Sequence, residues 1–323
     1  KLGEHIYQAG ANKTNEKARL DITHYEKPDR DTLDDIEQKV NEIIEENHSI
    51  DVLEMEKSEA EQNYGFRIYQ GGAPPGDTIR LIDIEDVDIE ACGGTHLKQT
   101  SHTEEFVLKG CKRIQDGVIR LNYKAGKAAE QHLNSIENRV EKAAELLGIT
   151  EISEDMLGGT HRQVQRELCS IFSIEPKHLV DTVERFDEEN EELKIQINRI
   201  AAYLDENPDI KEVGTGTLVD RAEQLFDAWK QNEKRLESLE ASIESFVGGE
   251  MEDRVVEEEV PTENIGLLIQ ICRKLAKQYS ASVTLYGEKG AVSASYHEDY
   301  DADKNLENYS DNVQGDENFA KAF

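Results

Sequence analysis

The sequence predicts an α+β protein with a mixed α/β domain over residues 1–125, a long helical hairpin or coiled coil over 126–250, and a small α/β domain over 251–323. Three patterns predict this class. Short β-rich runs separated by Gly and Pro turns fill the first part. Apolar residues spaced three and four apart fill the second, and a helical pattern followed by a hairpin pattern fills the third. A chain of 323 residues is long enough for two or three domains.

The first domain is predicted to contain one helix and four strands. Asp31 is a suitable N-cap, because apolar residues recur at helical spacing after it. Strands are predicted at 66–69, 78–82, 106–108 and 118–123, with a Gly- and Pro-rich turn at 71–76. The chain begins with Lys1 rather than Met, and its opening stretch resembles the interior of a helix, so we expect a fragment of a longer protein.

The middle segment is predicted to be helical. An amphipathic helix over 128–147 ends at Gly148, and residues 149–159 form a linker. Two further helical patterns are separated by the helix-breaking pair Asn207-Pro208, which predicts an antiparallel hairpin or coiled coil.

The last segment is predicted to begin with an acidic linker over 250–260. Thr262 then caps a helix, and strands at 283–286 and 291–295 form a hairpin across 287–290. From His297 onward the sequence predicts no definite structure.

The net charge of −32, from 37 basic and 69 acidic residues, argues against a nucleic-acid partner, because phosphate binding requires a basic surface. The acidic residues are spread along the whole chain, however, which is typical of proteins hydrated at high salt. We therefore expect a salt-adapted, halophilic protein rather than an acidic effector. No apolar run approaches the roughly 20 residues of a membrane span, and no signal peptide is visible, so we expect a cytoplasmic protein without a membrane partner.

The motif with the most chemical content is CGGTH at 92–96, where Cys92 and His96 have the spacing of two ligands to one metal ion. The two glycines allow a tight bend and close approach of the backbone to a ligand. On spacing alone, a glycine turn with a buried cysteine is the favoured alternative. The four cysteines form no CxxC pair, which argues against a disulfide framework.

The segments LGEHIYQAG at 2–10, ARLDITHY at 18–25 and ACGGTH at 91–96 resemble the editing domain of archaeal-type alanyl-tRNA synthetases. The resemblance continues through GVIR at 117–120 and KAG at 124–126. The helical segment and the last domain are similar in order and size to that family's dimerisation coiled coil and C-terminal tRNA-binding domain. The family's glycine-rich segment is only partly present near the end, so the last domain is expected to be truncated.

The resemblance implies hydrolysis of serine or glycine wrongly attached to alanine tRNA. It also implies one zinc ion, bound through a His-x-x-x-His pair and a Cys-x-x-x-His pair. Cys92 and His96 match the second pair, and the first would lie before Lys1. His5 and His24 would replace the first pair only if the fold brought them close. ATP would be required only by an aminoacylation domain, whose signatures are absent from these residues.

Catalytic roles are expected for Gln8 and Thr23 in the pocket, where a hydrogen bond to the serine hydroxyl would distinguish serine from alanine. The backbone N–H groups of Gly93, Gly94 and Thr95 would stabilise the oxyanion.

Contacts to tRNA are expected from a locally basic segment. Residues 107–126 carry a net charge of +4 inside an acidic chain. The predicted phosphate contacts are Arg19, Lys109, Lys112, Arg113, Arg120 and Lys124. The alternative is a β-hairpin with exposed basic side chains.

Two further motifs have simpler interpretations. LGGTH at 157–161 repeats most of the first motif, but a helix follows directly, so Thr160 is better explained as an N-cap with Gln163 completing a capping box. Cys111 has basic neighbours that would lower its pKa, although a plain buried cysteine is favoured.

The sequence therefore predicts a zinc-dependent aminoacyl-tRNA deacylase fragment that binds alanine tRNA and forms a homodimer through its helical region and last domain. The alternative is a tRNA-binding and dimerisation module that lacks catalysis because its metal site is incomplete.

Overall fold

The computed structural model describes residues 2–3, 5–70, 72–249, 255–297 and 299–323. The chain divides into two compact units, 1–136 and 137–323. Both units mix helices and sheets, which confirms the predicted α+β class. Among the described residues, no helix is both long and apolar enough to cross a bilayer.

The first unit contains two sheets with helices packed on them. Its elements are β1 (Gln8–Lys13), β2 (Ala18–Thr23), α1 (Arg30–Glu46), β3 (Ile50–Glu56), α2 (Lys57–Tyr64), β4 (Thr78–Ile84), β5 (Asp88–Ala91), β6 (Phe106–Gln115), β7 (Val118–Ala125) and the start of α3 (Lys127–Leu146). One antiparallel sheet has the order β1-β2-β7-β6, and the other has the order β3-β4-β5.

Several predictions for this unit need correction. The described residues of the opening stretch, 2–3 and 5–7, are not helical, and β1 begins at Gln8. The cap of α1 is Asp29, whose side chain accepts a hydrogen bond from the backbone N–H of Thr32 at 2.8 Å, and Asp31 lies in the first turn. The strand predicted at 66–69 is a single 3₁₀ turn that buries Ile68. The next strand along the chain, β4, pairs with β3 on one edge and with β5 on the other. Residues 66–69 therefore cannot pair with β4 as an additional strand.

The second unit begins with helices and ends with a sheet. Its elements are the rest of α3, then α4 (Glu154–Leu157), α5 (His161–Ile171), α6 (Leu179–Tyr203), α7 (Leu218–Gly249), β8 (Val255–Glu259), α8 (Ile265–Tyr279), β9 (Ser282–Gly287), β10 (Gly290–Ser295), α9 (Ala302–Leu306), β11 (Val313–Gly315) and β12 (Phe319–Ala322). The sheet order is β11-β12-β10-β9-β8, with β8 parallel to β9.

The last segment is more ordered than the sequence indicated. Residues 255–259 of the predicted acidic linker form β8, because alternate residues of this strand are half-buried against the sheet. The cap of α8 is Asn264, and Thr262 instead accepts a hydrogen bond from the Asn264 backbone N–H at 3.1 Å. The predicted hairpin is confirmed as β9–β10. Residues beyond His297 add one helix and two strands.

The two long helices α6 and α7 run parallel, so the predicted antiparallel direction is wrong. Aromatic contacts join Phe186 to Trp229 and Tyr203 to Phe246, with ring centroids 5.0 and 4.9 Å apart. Between these contacts lies a hydrogen bond from α7 to α6, at residues 232 and 190. Contact partners therefore advance together along both helices, which only a parallel pair allows.

An extended return segment, 204–217, makes the parallel arrangement possible. A stretch of this length spans up to about 46 Å, enough to run back along the roughly 38 Å of α6. The Asn232 side chain binds both the backbone N–H and the carbonyl of Lys211, at 2.8 and 3.0 Å. Farther along, the Gln224 side chain accepts from the backbone N–H of Gly214 at 2.6 Å. The direction of α7 is thus fixed by side chains that hold the return segment.

Replacing Asn232 by alanine is expected to lower the free energy of unfolding of the second unit by about 2 kcal/mol, because the buried Asn190 loses its only described partner. Urea unfolding followed by Trp229 fluorescence measures this change. Asn198→Ala, which removes an exposed amide of α6, is the matched control and should leave the midpoint almost unchanged. Equal midpoints for the two variants would contradict the anchoring role.

Candidate functional site

The four-stranded sheet of the first unit has one apolar and one polar face. Ile22, Ile119 and Leu121 are buried with Leu33 of α1 in a common core. Because side chains alternate along a strand, the residues between them point to the opposite face. The register places Arg19 opposite Asn122, and Asp21 opposite Arg120. The polar residues of β2 and β7 therefore form one continuous surface.

A buried carboxylate organises this polar surface. Asp21 is 6% exposed and accepts hydrogen bonds from Arg120 Nε and Nη2, at 2.7 and 2.9 Å. It also accepts from Arg19 Nη1 at 2.8 Å. Gly10 lies opposite Asp21 in β1, and a Cβ there would approach the carboxylate to 3.4 Å. Two arginines held by one carboxylate leave a fixed local charge of about +1.

A cavity of about 550 Å³ opens on this surface. It is lined by Asn12, Lys17, Ala18, Arg19, Lys109, Arg120, Asn122 and Tyr123. Four cationic groups, two amides and one phenol suit a ligand that is anionic and rich in hydrogen-bonding groups.

The predicted tRNA contacts are only partly brought together. Arg19, Lys109 and Arg120 line the cavity. Lys112 lies opposite Arg120 in the sheet but outside the lining, and Lys124 lies opposite Val107. Arg113 is exposed and forms an ion pair with Asp116 at 2.6 Å.

The CGGTH loop follows β5 directly. The Cys92 backbone N–H donates to the carbonyl of Arg80 at 3.2 Å, and the Arg80 guanidinium donates back to the Cys92 carbonyl. Gly93, Gly94, Thr95 and His96 are exposed. Arg80 of β4 therefore fixes the start of the loop while the rest remains open to a ligand.

Cys92 and His96 face a common space. A Cβ built on Gly94 would lie 3.6 Å from Cys92 Sγ and 3.7 Å from His96 Nε2. The absence of a side chain at Gly94 keeps this space free. Although His96 is exposed, partial desolvation and then the charges of Arg80 and Lys13 lower its pKa below the ordinary value of 6.5. The neutral imidazole, which is the metal-binding form, is therefore favoured.

The pair fits two ligands of a zinc site and no more. In the described part of the chain, Cys92 and His96 belong to no group of three or more His, Cys, Asp or Glu residues whose ligand atoms all lie within 4.8 Å of one another. His5 and His24 do lie together, with Nε2 and Nδ1 separated by 2.8 Å and the rings stacked. They form a pair of their own and do not complete the site.

Gln8 and Thr23 lie at one end of the β1–β2 pair. The Thr23 hydroxyl donates to the His5 carbonyl at 2.7 Å and accepts from the Tyr7 backbone N–H at 2.8 Å. Thr23 thus holds the segment that precedes β1. Gln8, at the start of that strand, is half-buried and stands beside a bulge in the pairing.

The comparisons with known proteins relate this chain to one family of enzymes. A family model described as the Threonyl and Alanyl tRNA synthetase second additional domain matches residues 79–122. The alanine–tRNA ligase of Methanococcus maripaludis is 47% identical over 148 residues, which is 46% of this chain and 17% of that protein. The chain resembles part of the archaeal alanine–tRNA ligases. The resemblance predicted from the motifs is therefore confirmed.

Two further alanine–tRNA ligases extend the comparison. That of Halobacterium salinarum is 45% identical over 149 residues, covering 46% of this chain and 16% of its own length. That of Hyperthermus butylicus is 32% identical over 284 residues, covering 88% of this chain and 25% of its own length. The chain thus spans between about a sixth and a quarter of the ligases that it matches.

Among solved structures, RecJ in complex with Mg²⁺ from Thermus thermophilus aligns with 60% of this chain and 27% of its own. The identity is 12% and the TM-score is 0.24, which is too low to indicate a common fold.

Several residues of the ligase-like unit were missed by sequence reasoning. Asp21, Lys17, Asn12 and Asn122 belong to the polar face, and Arg80 holds the loop. The alternation in ARLDIT at 18–23 places Arg19, Asp21 and Thr23 on one face, and this signal was available. Arg80 has no such signal, because its role depends on the pairing of β4 with β5. For Cys111, burial raises the thiol pKa and outweighs nearby cations, which agrees with the favoured interpretation of a plain buried cysteine rather than a reactive one.

Proposed function

We propose that the chain is an aminoacyl-tRNA deacylase that removes serine or glycine from alanine tRNA, in the context of alanine–tRNA ligation by a longer enzyme. The observation that carries the proposal is that the CGGTH loop and the cationic cavity are both near the last residues of β1. The charge of Lys13 lowers the pKa of His96, and its neighbour Asn12 lines the cavity. A loop with two potential metal ligands and an anion-binding surface are therefore close to the same strand end.

The reaction is hydrolysis of an ester between an amino acid and the terminal ribose. Lys17, Arg19, Lys109 and Arg120 bind the phosphates of the tRNA end, and Asn12 and Asn122 donate hydrogen bonds. Backbone N–H groups of the exposed loop at Gly93 and Gly94 stabilise the developing oxyanion. Cys92 and His96 would hold zinc, which when bound supplies polarisation of the ester carbonyl.

Gln8 selects the serine hydroxyl in this proposal, since the Thr23 hydroxyl is already engaged with backbone groups. Replacing Gln8 by alanine is expected to slow Ser-tRNA(Ala) hydrolysis by roughly 10- to 100-fold, which corresponds to the loss of one or two hydrogen bonds. Binding of uncharged tRNA should be unchanged. Single-turnover deacylation and filter binding measure the two quantities.

The control for this prediction is Gln38→Ala, which removes an exposed amide of α1 that bonds Glu42. It should leave both quantities unchanged. Equal losses of hydrolysis and binding in Gln8→Ala would contradict the selective role.

The partners in this proposal are alanine tRNA and a second copy of the chain. Ile195 of α6 is 51% exposed, an apolar side chain available for contact between copies. We place dimerisation in the helical region and the last domain, and a cytoplasmic location follows from the role in translation. Sedimentation equilibrium measures the association directly.

A non-catalytic tRNA-binding and dimerisation module is the competing function. The observation that favours it is that, over the described residues, the loop supplies two metal ligands and no third. Zinc content and Ser-tRNA(Ala) hydrolysis separate the two. Hydrolysis together with zinc that is lost on Cys92→Ala supports the deacylase. No hydrolysis, with a zinc content that Cys92→Ala leaves unchanged, supports the module.

A further inference from the structure

A second group of metal-ligating side chains lies in the second unit. Glu137 and Glu141 of α3 and His161 of α5 each present one ligand atom, and these atoms all lie within 4.8 Å of one another. His161 belongs to LGGTH at 157–161, the motif that resembles CGGTH without its cysteine.

Local structure fixes all three positions. Glu137 and Glu141 are four residues apart on one helix, so they lie on the same face. Gly158 and Gly159 have φ values of +90° and +148°, which let the chain turn sharply into α5. The Thr160–Gln163 capping box predicted from the sequence is confirmed and sets where α5 begins. His161 is the first residue after that cap.

The hydrogen bonding of the cluster is incomplete. His161 Nε2 is shielded from solvent and has no hydrogen-bond partner among the described residues. A shielded imidazole nitrogen without a partner is costly. Over the same described part of the chain, neither Glu137 nor Glu141 forms a hydrogen bond or an ion pair. A divalent cation placed between the three groups would satisfy the carboxylates and the imidazole together.

We propose that Glu137, Glu141 and His161 bind a divalent transition-metal ion of the Zn²⁺ type. An imidazole with two carboxylates favours Zn²⁺ over Mg²⁺ or Ca²⁺, which prefer oxygen ligands alone. Ligand atoms of one tetrahedral zinc ion lie about 3.4 Å apart, a spacing that side-chain movement can reach from a cluster whose atoms lie within 4.8 Å of one another. The exposed side chain of Glu137 is free to make this movement.

The bound ion joins α3 to the start of α5. It takes three protein ligands and leaves one position for water. Because an ion that binds only the folded state stabilises that state, Zn²⁺ is expected to raise the free energy of unfolding of the second unit. The inference does not depend on the proposed deacylase activity, since no residue is shared with the CGGTH loop.

The test uses the full chain carrying Cys92→Ala and His96→Ala, which removes the loop donors. Isothermal titration with Zn²⁺ should give about one equivalent bound, and Mg²⁺ at the same concentration should give no heat. Co²⁺ should show visible absorption bands of a four-coordinate site. Glu141→Gln and His161→Gln added separately should each weaken Zn²⁺ binding at least tenfold.

Two additional variants make the result decisive. Glu137→Gln changes an exposed side chain and should fold normally while also weakening binding. Glu145→Gln removes a charge from the same helix outside the cluster and should leave the affinity unchanged. If all variants bind Zn²⁺ equally, or if no equivalent binds, the site does not exist. If His161→Gln changes stability equally with and without Zn²⁺, His161 only neutralises the carboxylates and the proposal is overturned.

Discussion

Replacing Cys92 by alanine is expected to abolish zinc binding at the CGGTH loop and to slow Ser-tRNA(Ala) hydrolysis by about 100-fold or more. Cys92 Sγ faces the space beside Gly94 that His96 Nε2 also faces, so its removal leaves a single donor there. The hydrogen bonds that fix Cys92 to Arg80 use backbone atoms of Cys92 and survive the substitution. Mass spectrometry of the native protein should show one zinc equivalent fewer than in the unmodified chain, and single-turnover deacylation measures the change in hydrolysis.

Cys111→Ala is the matched control for this experiment. Cys111 lies on β6 with its thiol near the Pro28 carbonyl, and burial raises its pKa, so it is a poor metal ligand. It should retain zinc and hydrolysis. If Cys92→Ala hydrolyses Ser-tRNA(Ala) at the rate of the unmodified chain, the loop is not the reactive centre.

Replacing Asp21 by alanine is expected to destabilise the first unit by about 2–3 kcal/mol, because Arg19 and Arg120 both lose a charged hydrogen-bond partner while their own side chains stay partly exposed to water. The loss should also deform the cavity, since both arginines line it. The single tryptophan, Trp229, lies in the second unit, so its fluorescence does not follow this change. Amide hydrogen exchange of β2 and β7 in urea measures the first unit directly.

Asp116→Ala is the control for Asp21→Ala. Asp116 pairs with Arg113 on the surface, its side chain is 99% exposed, and such pairs contribute about 0–1 kcal/mol. Exchange in β2 and β7 should therefore match that of the unmodified chain. Equal protection in both variants would mean that the arginines do not depend on Asp21.

The long helices show where pattern reasoning succeeds and where it stops. Apolar periodicity and the Asn207-Pro208 break located α6 and α7 correctly. The same periodicity suits a parallel or an antiparallel pair, so it does not specify direction. Direction depends on the return segment 204–217, which Asn232 and Gln224 hold along α7. Those contacts join residues distant in sequence and leave no local pattern.

The prediction of strands from the sequence has a similar limit. The strands at 78–82 and 118–123 were found because strong apolar character coincided with turn residues. Residues 66–69 have the same character, yet they form one turn, since a strand exists only where another strand pairs with it. Residues 255–259 read as an acidic linker but pair with β9, because one half-buried face is enough for an edge strand.

Some features of the candidate site could be predicted from the sequence, and others required the tertiary structure. The CGGTH spacing and the basic segment were visible in the sequence, and the roles of their residues remain predictions. The cavity required strand pairing, which brings Arg19 of β2 beside Arg120 of β7 across about a hundred residues of sequence. Asp21 was not predicted as a site residue, because its role depends on burial between Arg19 and Arg120, and Arg120 is distant from it in sequence.

The sequence by itself determined the α+β class, the motif that marks the family resemblance, and the acidic charge, because composition and short spacings are properties of the chain. Only the tertiary structure decided the parallel course of α6 and α7, the cationic cavity, and the meeting of Glu137, Glu141 and His161. Each of these depends on side chains joined by pairing and packing over long sequence separations. The free energy of such contacts depends on how close the side chains lie and how deeply they are buried. Neither quantity can be read from a local sequence pattern.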